Sequence, residues 1–226
     1  MNKKKMISAS IMCADLLNLT HDIKILEDAK IDFLHLDIMD GKFVPNITLG
    51  IDLCNKIGEI SNIKRDFHLL LNDPTIFIDR FNLKEDEMVT VHFEADVNIN
   101  LLSYNVRSKG AKFGVALNPE TPITVLDDYL DDIDYIVLMM IKPGFAGMKK
   151  EDGMIEKIMA LRTYLNKKNK GDLLIEVDGN VSFQNATIMS SATANIFVAG
   201  TSSIFSKKYE ITKAIEMLRN NITSNK

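Results

Sequence analysis

Short apolar runs rich in β-branched residues alternate along the chain with stretches whose apolar residues recur at helical spacing. Eight runs predict strands: Met6–Ile11, Phe33–Ile38, Asp66–Leu71, Met88–His92, Lys112–Leu117, Tyr135–Ile141, Leu173–Val177 and Ile196–Ala199. Eight stretches predict helices: Leu19–Ala29, Ile51–Ile60, Pro74–Phe81, Ile99–Lys109, Ile123–Leu130, Asp152–Asn166, Ser182–Ser191 and Tyr209–Asn221. Strands that are apolar throughout, each followed by a helix, indicate a parallel sheet covered by helices.

The number and spacing of these units predict an α/β fold of a particular kind. Eight units in 226 residues average about 28 residues each, close to the repeat of a (β/α)8 TIM barrel. We therefore expect a single TIM-barrel domain over residues 1–226. An open, doubly wound sheet is the alternative. Such a sheet often has a glycine-rich turn after its first strand, and here that position holds Met12-Cys13-Ala14-Asp15.

Composition and charge exclude several other classes of protein. The chain is 46% hydrophobic and 26% charged, which is typical of a globular protein rather than a disordered, collagen-like or coiled-coil one. No apolar run approaches the roughly 20 residues that a membrane span needs. The 27 basic and 31 acidic residues give a net charge of −4. We therefore expect neither nucleic acid nor a membrane as a partner.

The N-terminus and the cysteines predict a cytoplasmic protein. Basic residues at 3–5 precede the apolar stretch Met6–Ala14, but Asp15 interrupts it at once, so we interpret residues 2–5 as a tail before the first strand and not as a signal sequence. Cys13 and Cys54 have no CxxC or zinc-finger spacing. Two buried, reduced thiols are the simplest interpretation.

Polar side chains stand at the ends of several predicted strands, where the chemistry of a TIM barrel collects. Strand alternation sends His35, Asp37 and Met39 to one side of the second strand. His68 in the third strand and Asp178 after the seventh can join them. Because buried polar groups need partners, this convergence indicates a divalent cation, and mixed N/O ligands favour Zn, Mn, Fe or Co over Mg or Ca. Four other polar residues are interpreted as turn, cap or hydrogen-bonded residues: Asp15, His21, Asp40 and His92.

Glycine-containing turns after three neighbouring strands indicate a phosphate ligand. Asp178-Gly179-Asn180 follows the seventh strand and Val198-Ala199-Gly200-Thr201-Ser202 ends the eighth. Backbone N–H groups at these two places form the recurrent phosphate site of TIM barrels. Pro143-Gly144-Phe145-Ala146-Gly147 after the sixth strand could be a mobile lid. Each turn alone could equally be an ordinary helix entry.

These motifs resemble those of the ribulose-phosphate 3-epimerase family, and the resemblance runs from Ser8 to Phe205. Four blocks carry it: His35-Leu36-Asp37-Ile38-Met39-Asp40-Gly41-Lys42-Phe43-Val44-Pro45-Asn46, Leu117-Asn118-Pro119-Glu120-Thr121-Pro122, Pro143-Gly144-Phe145-Ala146-Gly147 and Glu176-Val177-Asp178-Gly179. The resemblance implies an isomerase that inverts C3 of a ketose phosphate. It also makes a homo-oligomer, a dimer or a hexamer, plausible.

The resemblance further implies one divalent metal per chain, with zinc favoured and iron, manganese or cobalt as alternatives. The metal ligands would be His35, Asp37, His68 and Asp178, and Asp37 and Asp178 would be the two catalytic acids, acting from opposite sides of the barrel mouth on the two faces of an enediolate. The implied substrate contacts are Ser10, Met39, His68, Met139, Gly144, Phe145, Ala146, Gly147, Gly179, Asn180, Gly200 and Thr201.

The choice of substrate depends on local details. Asn180, Leu70 and Met148 depart from the family pattern, which has Gly, Met and Gln there. The segments Met12–Leu17 and Gly200–Ser202 are most similar to the allulose-6-phosphate 3-epimerase branch. We therefore expect D-allulose 6-phosphate to D-fructose 6-phosphate as the reaction, with D-ribulose 5-phosphate to D-xylulose 5-phosphate as the alternative.

Two rival functions use the same fold. A sugar-phosphate decarboxylase resembling this chain would carry a lysine two residues after an aspartate of the second or third strand. Here Met39 and His68 stand at those positions, after Asp37 and Asp66. A non-catalytic sugar-phosphate sensor would be expected to have lost an acid or a metal ligand, and all of them are present.

Overall fold

The computed structural model describes residues 3–224 and contains the predicted (β/α)8 barrel. Eight strands pair in parallel around it, and the β1–β2 pairing closes the ring. A two-residue strand, β3, pairs antiparallel with the end of β2 and was not predicted. Residues 1–2 and 225–226 of the predicted domain lie outside the described residues. The strands are β1 (Met6–Ser10), β2 (Phe33–Asp40), β3 (Ile47–Thr48), β4 (Lys64–Leu70), β5 (Met88–His92), β6 (Lys112–Leu117), β7 (Tyr135–Met139), β8 (Leu174–Asp178) and β9 (Ile196–Ala199).

The α-helices of the described chain connect or follow the strands, and their apolar faces pack on the outside of the barrel. Within residues 3–224 no helix is both long enough and apolar enough to cross a membrane. The helices are α1 (Leu19–Asp28), α2 (Ile51–Ile60), α3 (Thr75–Ile78), α4 (Ile99–Arg107), α5 (Met154–Lys167), α6 (Phe183–Ser191) and α7 (Ile211–Thr223).

The predicted helix Ile123–Leu130 is wrong. The chain there forms a short 3-10 helix, Ile123–Leu126, and continues in turns. Three consecutive β-branched residues at 123–125 disfavour an α-helix, and the acidic residues that follow at 127–128 and 131–132 repel one another. Leu126 and Leu130 are nevertheless buried, so the segment covers its part of the barrel as the pattern indicated.

The register between strands decides which polar side chains meet inside the barrel. On β2 and β4, His35 stands beside Asp66 and Asp37 stands beside His68. Because alternate residues of a strand face the same side, these four side chains form two layers of the interior. His35 and Asp66 lie deeper, and Asp37 and His68 lie towards the carboxyl ends of the strands.

A buried ion pair lies at the opposite, amino-terminal end of β4. The Arg65 guanidinium donates from Nε to Glu87 Oε1 over 2.6 Å and from Nη2 to Glu87 Oε2 over 2.8 Å, and neither residue is appreciably exposed. It also donates to the Cys54 carbonyl of α2. Gly58 of the same helix gives it room, because a Cβ there would lie 2.5 Å from Arg65 Cζ. This cluster fixes α2 against the outside of the barrel.

Candidate metal centre and active site

Four side chains from three strands bring one ligand atom each to a common point in the upper layer. Asp37 Oδ1 lies 3.2 Å from His35 Nε2 and 3.3 Å from His68 Nδ1. Asp178 Oδ2 lies 3.4 Å from His68 Nδ1 and 3.7 Å from His35 Nε2. All four atoms lie within 4.8 Å of one another. The structure thus brings together the four residues that the strand ends predicted as metal ligands.

This donor set fits a divalent cation. Ligand atoms about 2.1 Å from a tetrahedral zinc ion are about 3.4 Å apart, which is the middle of the four separations. His35 Nε2 is buried and has no hydrogen-bond partner among the described residues, so its lone pair is available. Two carboxylates would neutralise the charge of a divalent ion, and imidazole with carboxylate ligands suits first-row transition metals.

The electrostatics of the cluster favour charge in spite of burial. Burial raises the pKa of Asp37, but the neighbouring imidazoles of His35 and His68 outweigh it and hold the pKa well below its usual range. Burial likewise lowers the pKa of His35, but Asp37 and Asp66 outweigh it and raise that pKa well above the usual range. The same carboxylates that attract imidazole protons would attract a metal cation instead.

A second carboxylate lies directly behind His35. Asp66 Oδ2 is 2.7 Å from His35 Nδ1 and accepts a hydrogen bond of 2.8 Å from Ser8 Oγ. The Glu176 carboxyl faces Asp66, and burial together with the Asp66 charge raises the pKa of Glu176 well above its usual range. The raised pKa favours the neutral form of the Glu176 carboxyl beside the Asp66 carboxylate. This arrangement directs His35 Nε2 towards the cluster.

A longer chain of polar groups lies behind His68. His68 Nε2 is 2.9 Å from His92 Nε2, and His92 Nδ1 is 3.2 Å from Glu94 Oε2. Burial lowers the pKa of His92 to about 4, although its hydrogen bond to Glu94 opposes this shift. Burial opposes ionisation of Glu94, but hydrogen bonds from His92 and Thr121 lower its pKa to about 2. His92 is thus neutral and Glu94 is ionised at neutral pH.

Asp37 and Asp178 form the floor of a pocket at the carboxyl ends of the strands. The pocket encloses about 530 Å³ including its open mouth, which is within the range of small-molecule sites. One wall is apolar, and among residues 3–224 no lysine or arginine lines the pocket. The lining includes nearly all of the predicted substrate contacts: Ser10, Met39, Met139, Gly144, Phe145, Ala146, Gly147, Gly179, Asn180, Gly200 and Thr201.

Two sequence-based expectations differ from this geometry. His68, expected to contact substrate, has no exposed surface and does not line the pocket, because it lies behind the two carboxylates. Cys13, expected to be buried, is half-buried and lines the pocket, whereas Cys54 is buried and both thiols are free. Asp37 and Asp178 stand on strands β2 and β8, which are three positions apart in the ring of eight strands, with β1 and β9 between them.

Two turns that line the pocket, after β8 and after β9, need glycine for their backbone conformation or packing. Gly179 has a φ of +111°, and a Cβ there would lie 2.6 Å from Ile141 Cγ1, so only glycine fits. A Cβ at Gly200 would lie 2.9 Å from Cys13 Sγ. Glycine at these two positions therefore lets the backbone after β8 lie close to Ile141 and the backbone after β9 lie close to Cys13.

The loop of residues 143–148 is attached at both ends by side-chain amides. Asn46 Nδ2 donates to the Gly144 carbonyl over 2.9 Å, and Asn180 Nδ2 donates to the Met148 carbonyl over 2.9 Å. Asn185 Nδ2 in turn donates to Asn180 Oδ1 over 2.6 Å. Asn180 adopts a φ of +50°, a conformation that asparagine tolerates. Asn180, one of the three departures from the family pattern, therefore connects the loops after β7 and β8.

Sequence reasoning missed the residues behind the ligands. Asp66 and Glu176 each stand two positions before a predicted ligand, and strand alternation was the signal that could have placed them inside the barrel. His92 was interpreted as an ordinary hydrogen-bonded residue, and it does form hydrogen bonds, one of them with His68. Asp40 is a turn residue as expected, because its Oδ1 accepts from the backbone N–H groups of Lys42 and Phe43.

Comparisons with known proteins agree with the fold and indicate the family. The chain is 36% identical to the ribulose-phosphate 3-epimerase of Bacillus subtilis (strain 168) over 195 residues, covering 86% of this chain and 90% of that protein. It is 35% identical to the ribulose-phosphate 3-epimerase of Methanocaldococcus jannaschii over 213 residues, covering 94% and 89%. The solved structure of KGPDC from Streptococcus mutans shares the fold, with a TM-score of 0.68, 12% identity and 97% and 98% coverage.

The family itself follows from the sequence match. The model of the ribulose-phosphate 3 epimerase family matches residues 6–205, which include all eight barrel strands and the four clustered residues that could hold a metal ion. The two relatives exceed one-third identity over most of their own lengths. This chain therefore belongs to the ribulose-phosphate 3 epimerase family.

Proposed function

We propose that the protein is a metal-dependent ribulose-phosphate 3-epimerase that interconverts D-ribulose 5-phosphate and D-xylulose 5-phosphate. The observation that carries the proposal is the cluster of His35, Asp37, His68 and Asp178 at the floor of a pocket with a glycine-rich rim. Family membership supports epimerisation of a ketose phosphate. The names of the relatives favour the pentulose over the hexulose that the motifs around Cys13 and Thr201 favoured.

The four clustered side chains would hold the cation, and we propose zinc. The separations between their ligand atoms, 3.2–3.7 Å, support this choice. When bound, the ion would stabilise the negative charge that develops on the ketose oxygens as a proton leaves C3. Elemental analysis of the purified protein tests the identity of the ion.

Asp37 and Asp178 would take and deliver the proton at C3. Both line the pocket, and inversion needs one acid–base group on each face of the planar enediolate. Asp37 uses only one oxygen towards the imidazoles, because Oδ2 accepts a hydrogen bond of 3.0 Å from Ser10 Oγ. Ser10 thereby orients the carboxylate. The two acids exchange roles when the reaction runs in the other direction.

The phosphate would bind to backbone N–H groups of the three glycine-containing turns. The turns are those at 144–147, 179–180 and 200–202, and all of them line the pocket. Because no lysine or arginine of the described chain lines it, neutral N–H dipoles would provide the contacts. Met39 and Met139 would contact the carbon chain between C3 and the phosphate.

Parallel assays with ribulose 5-phosphate and allulose 6-phosphate test the proposal. The two substrates differ by one hydroxymethylene group, and a misfit of that size is worth about 1–3 kcal/mol, or roughly 10–200-fold in kcat/KM. We expect this preference in favour of ribulose 5-phosphate. A higher kcat/KM for allulose 6-phosphate would refute the pentulose assignment, and no turnover of either ketose phosphate would refute the epimerase itself.

A further inference from the structure

We propose that His92 and Glu94 are positioning residues that hold His68 in the one tautomer able to bind a cation. The proposal deepens the proposed metal-dependent function and rests on it. Neither residue belongs to the ligand cluster, and neither lines the pocket. They form a relay of hydrogen bonds that runs from the cluster to the loop after β6.

With a cation bound to His68 Nδ1, the hydrogen bonds of this relay can run in only one direction. His68 Nδ1 faces Asp37 and Asp178 at 3.3 and 3.4 Å, so a cation bound there needs the lone pair of Nδ1. The ring hydrogen of a neutral His68 then sits on Nε2 and is donated to His92 Nε2, 2.9 Å away. His92 must therefore carry its own hydrogen on Nδ1, which donates to Glu94 Oε2 over 3.2 Å.

Packing keeps the relay in this arrangement. His68 and His92 are both fully buried, and their rings are stacked with centroids 5.0 Å apart and an interplanar angle of 17°. Phe43 also contacts His92, with the ring centroids 4.8 Å apart. Glu94 Oε1 accepts from the Asn118 N–H over 2.9 Å and from the Thr121 hydroxyl. The carboxylate is thus fixed by the loop after β6.

Loss of the acceptor would free the wrong tautomer. Without His92 Nε2, a hydrogen on His68 Nε2 would be buried and unpaired, which is unfavourable. The hydrogen would move to Nδ1, where Asp37 and Asp178 can accept it, and there it blocks the position that binds the cation. His35 does not depend on this relay, because Asp66 contacts its Nδ1 directly.

The first experiment measures the Zn²⁺ dissociation constant of the metal-free full-length protein by competition with a chromophoric chelator. We expect His92→Phe to weaken binding by about 10–100-fold, the usual effect of removing such a partner. His92→Gln should restore most of the affinity, because its amide oxygen can accept from His68. A His92→Phe protein that binds Zn²⁺ within twofold of the wild type would overturn the proposal.

Nitrogen-15 NMR of the metal-free protein supplies a readout that does not involve activity. We expect the wild-type His68 to hold a hydrogen on Nε2, donated to His92, and His92→Phe to lose that hydrogen and keep one on Nδ1 alone. An unchanged tautomer in the variant would contradict the relay. This measurement also separates positioning from a merely structural role, since a general loss of stability would not exchange the two ring nitrogens.

The Glu94 variants carry the test if His92→Phe does not fold. Glu94→Ala removes the acceptor for His92 and should weaken Zn²⁺ binding, whereas Glu94→Gln keeps an oxygen there and should bind more tightly than Glu94→Ala. Thr121→Ala is the matched control, because it removes the hydroxyl contact of Glu94 without touching His92. Equal affinities for Glu94→Ala, Thr121→Ala and wild type would overturn the proposal. A wild-type protein that keeps full turnover after chelation would instead overturn the metal-dependent function.

Discussion

The two-acid mechanism makes a specific prediction for the variants Asp37→Asn and Asp178→Asn. Asparagine keeps the shape of the side chain and an oxygen ligand, but it cannot take or deliver a proton. Because inversion uses one acid on each face of the enediolate, either substitution should lower epimerisation by about 10²–10⁴-fold. This corresponds to about 3–5 kcal/mol in the activation free energy.

The structure predicts which variant loses more. Asp37 Oδ1 contacts both imidazoles at 3.2 and 3.3 Å, whereas Asp178 Oδ2 lies 3.4 and 3.7 Å from them. Asp37 is also the acid whose pKa the imidazoles hold well below its usual range. Asp37→Asn should therefore weaken metal binding more and fall at the upper end of the range. The metal content of each variant is measured so that loss of the ion is not mistaken for loss of the acid.

Proton exchange in heavy water reveals what the remaining acid does. In each variant, the surviving carboxylate can still remove the C3 proton from one epimer and return a deuteron to the same face. Each variant should therefore label one epimer at C3 without inverting it, and the two variants should label opposite epimers. Proton NMR of both epimers measures this, with the wild type, which labels both, as the control.

Three outcomes would refute this reasoning. Near-normal epimerisation by either variant would show that its acid is not needed. Labelling of the same epimer by both variants would show that the two carboxylates do not serve opposite faces. Deuterium at C1 instead of C3 would indicate an aldose–ketose isomerase.

Three further predictions concern the ion, the base of the barrel and the pocket rim. Prolonged chelation should abolish turnover and added Zn²⁺ should restore it, with about one ion per chain by elemental analysis; full turnover without metal would contradict this. Glu87→Ala leaves the buried Arg65 guanidinium without its carboxylate and should lower the free energy of unfolding by about 3–5 kcal/mol in a urea titration. Asn180→Gly removes the hydrogen bond to the Met148 carbonyl and should raise KM and speed amide hydrogen exchange in the 143–148 loop; unchanged exchange rates would contradict the role of Asn180 in fixing the loop.

Much of the site could be predicted from the sequence, because strand alternation is a local property. The two-residue spacing of His35 and Asp37 placed both on one face of β2, and the parallel topology placed their strand end at the same mouth of the barrel as those of β4 and β8. Contacts between side chains of neighbouring strands could not be predicted in the same way. The contact of Asp66 with His35 depends on the β2–β4 register, and the contact of His92 with His68 depends on how the closed barrel brings β4 and β5 together.

Other differences arose from side-chain depth and from local backbone preferences. The sequence placed His68 at a strand end but not behind the carboxylates, so its burial was not predicted. The segment 123–130 has buried apolar residues at helical spacing, yet its β-branched and acidic residues oppose an α-helix. Asn180 was recognised as a departure from the family pattern, but its bond to the Met148 carbonyl depends on the fold of two loops.

The attachment of the 143–148 loop at both ends has a kinetic consequence. Asn46 and Asn180 hold the carbonyls of Gly144 and Met148, so only residues 145–147 between them are free to swing. A segment this short moves in nanoseconds to microseconds, much faster than the large lids whose opening limits turnover in other enzymes. Loop opening would then not limit product release, and proton transfer would remain the slowest step. A substrate deuterated at C3 should therefore show its full primary isotope effect on kcat.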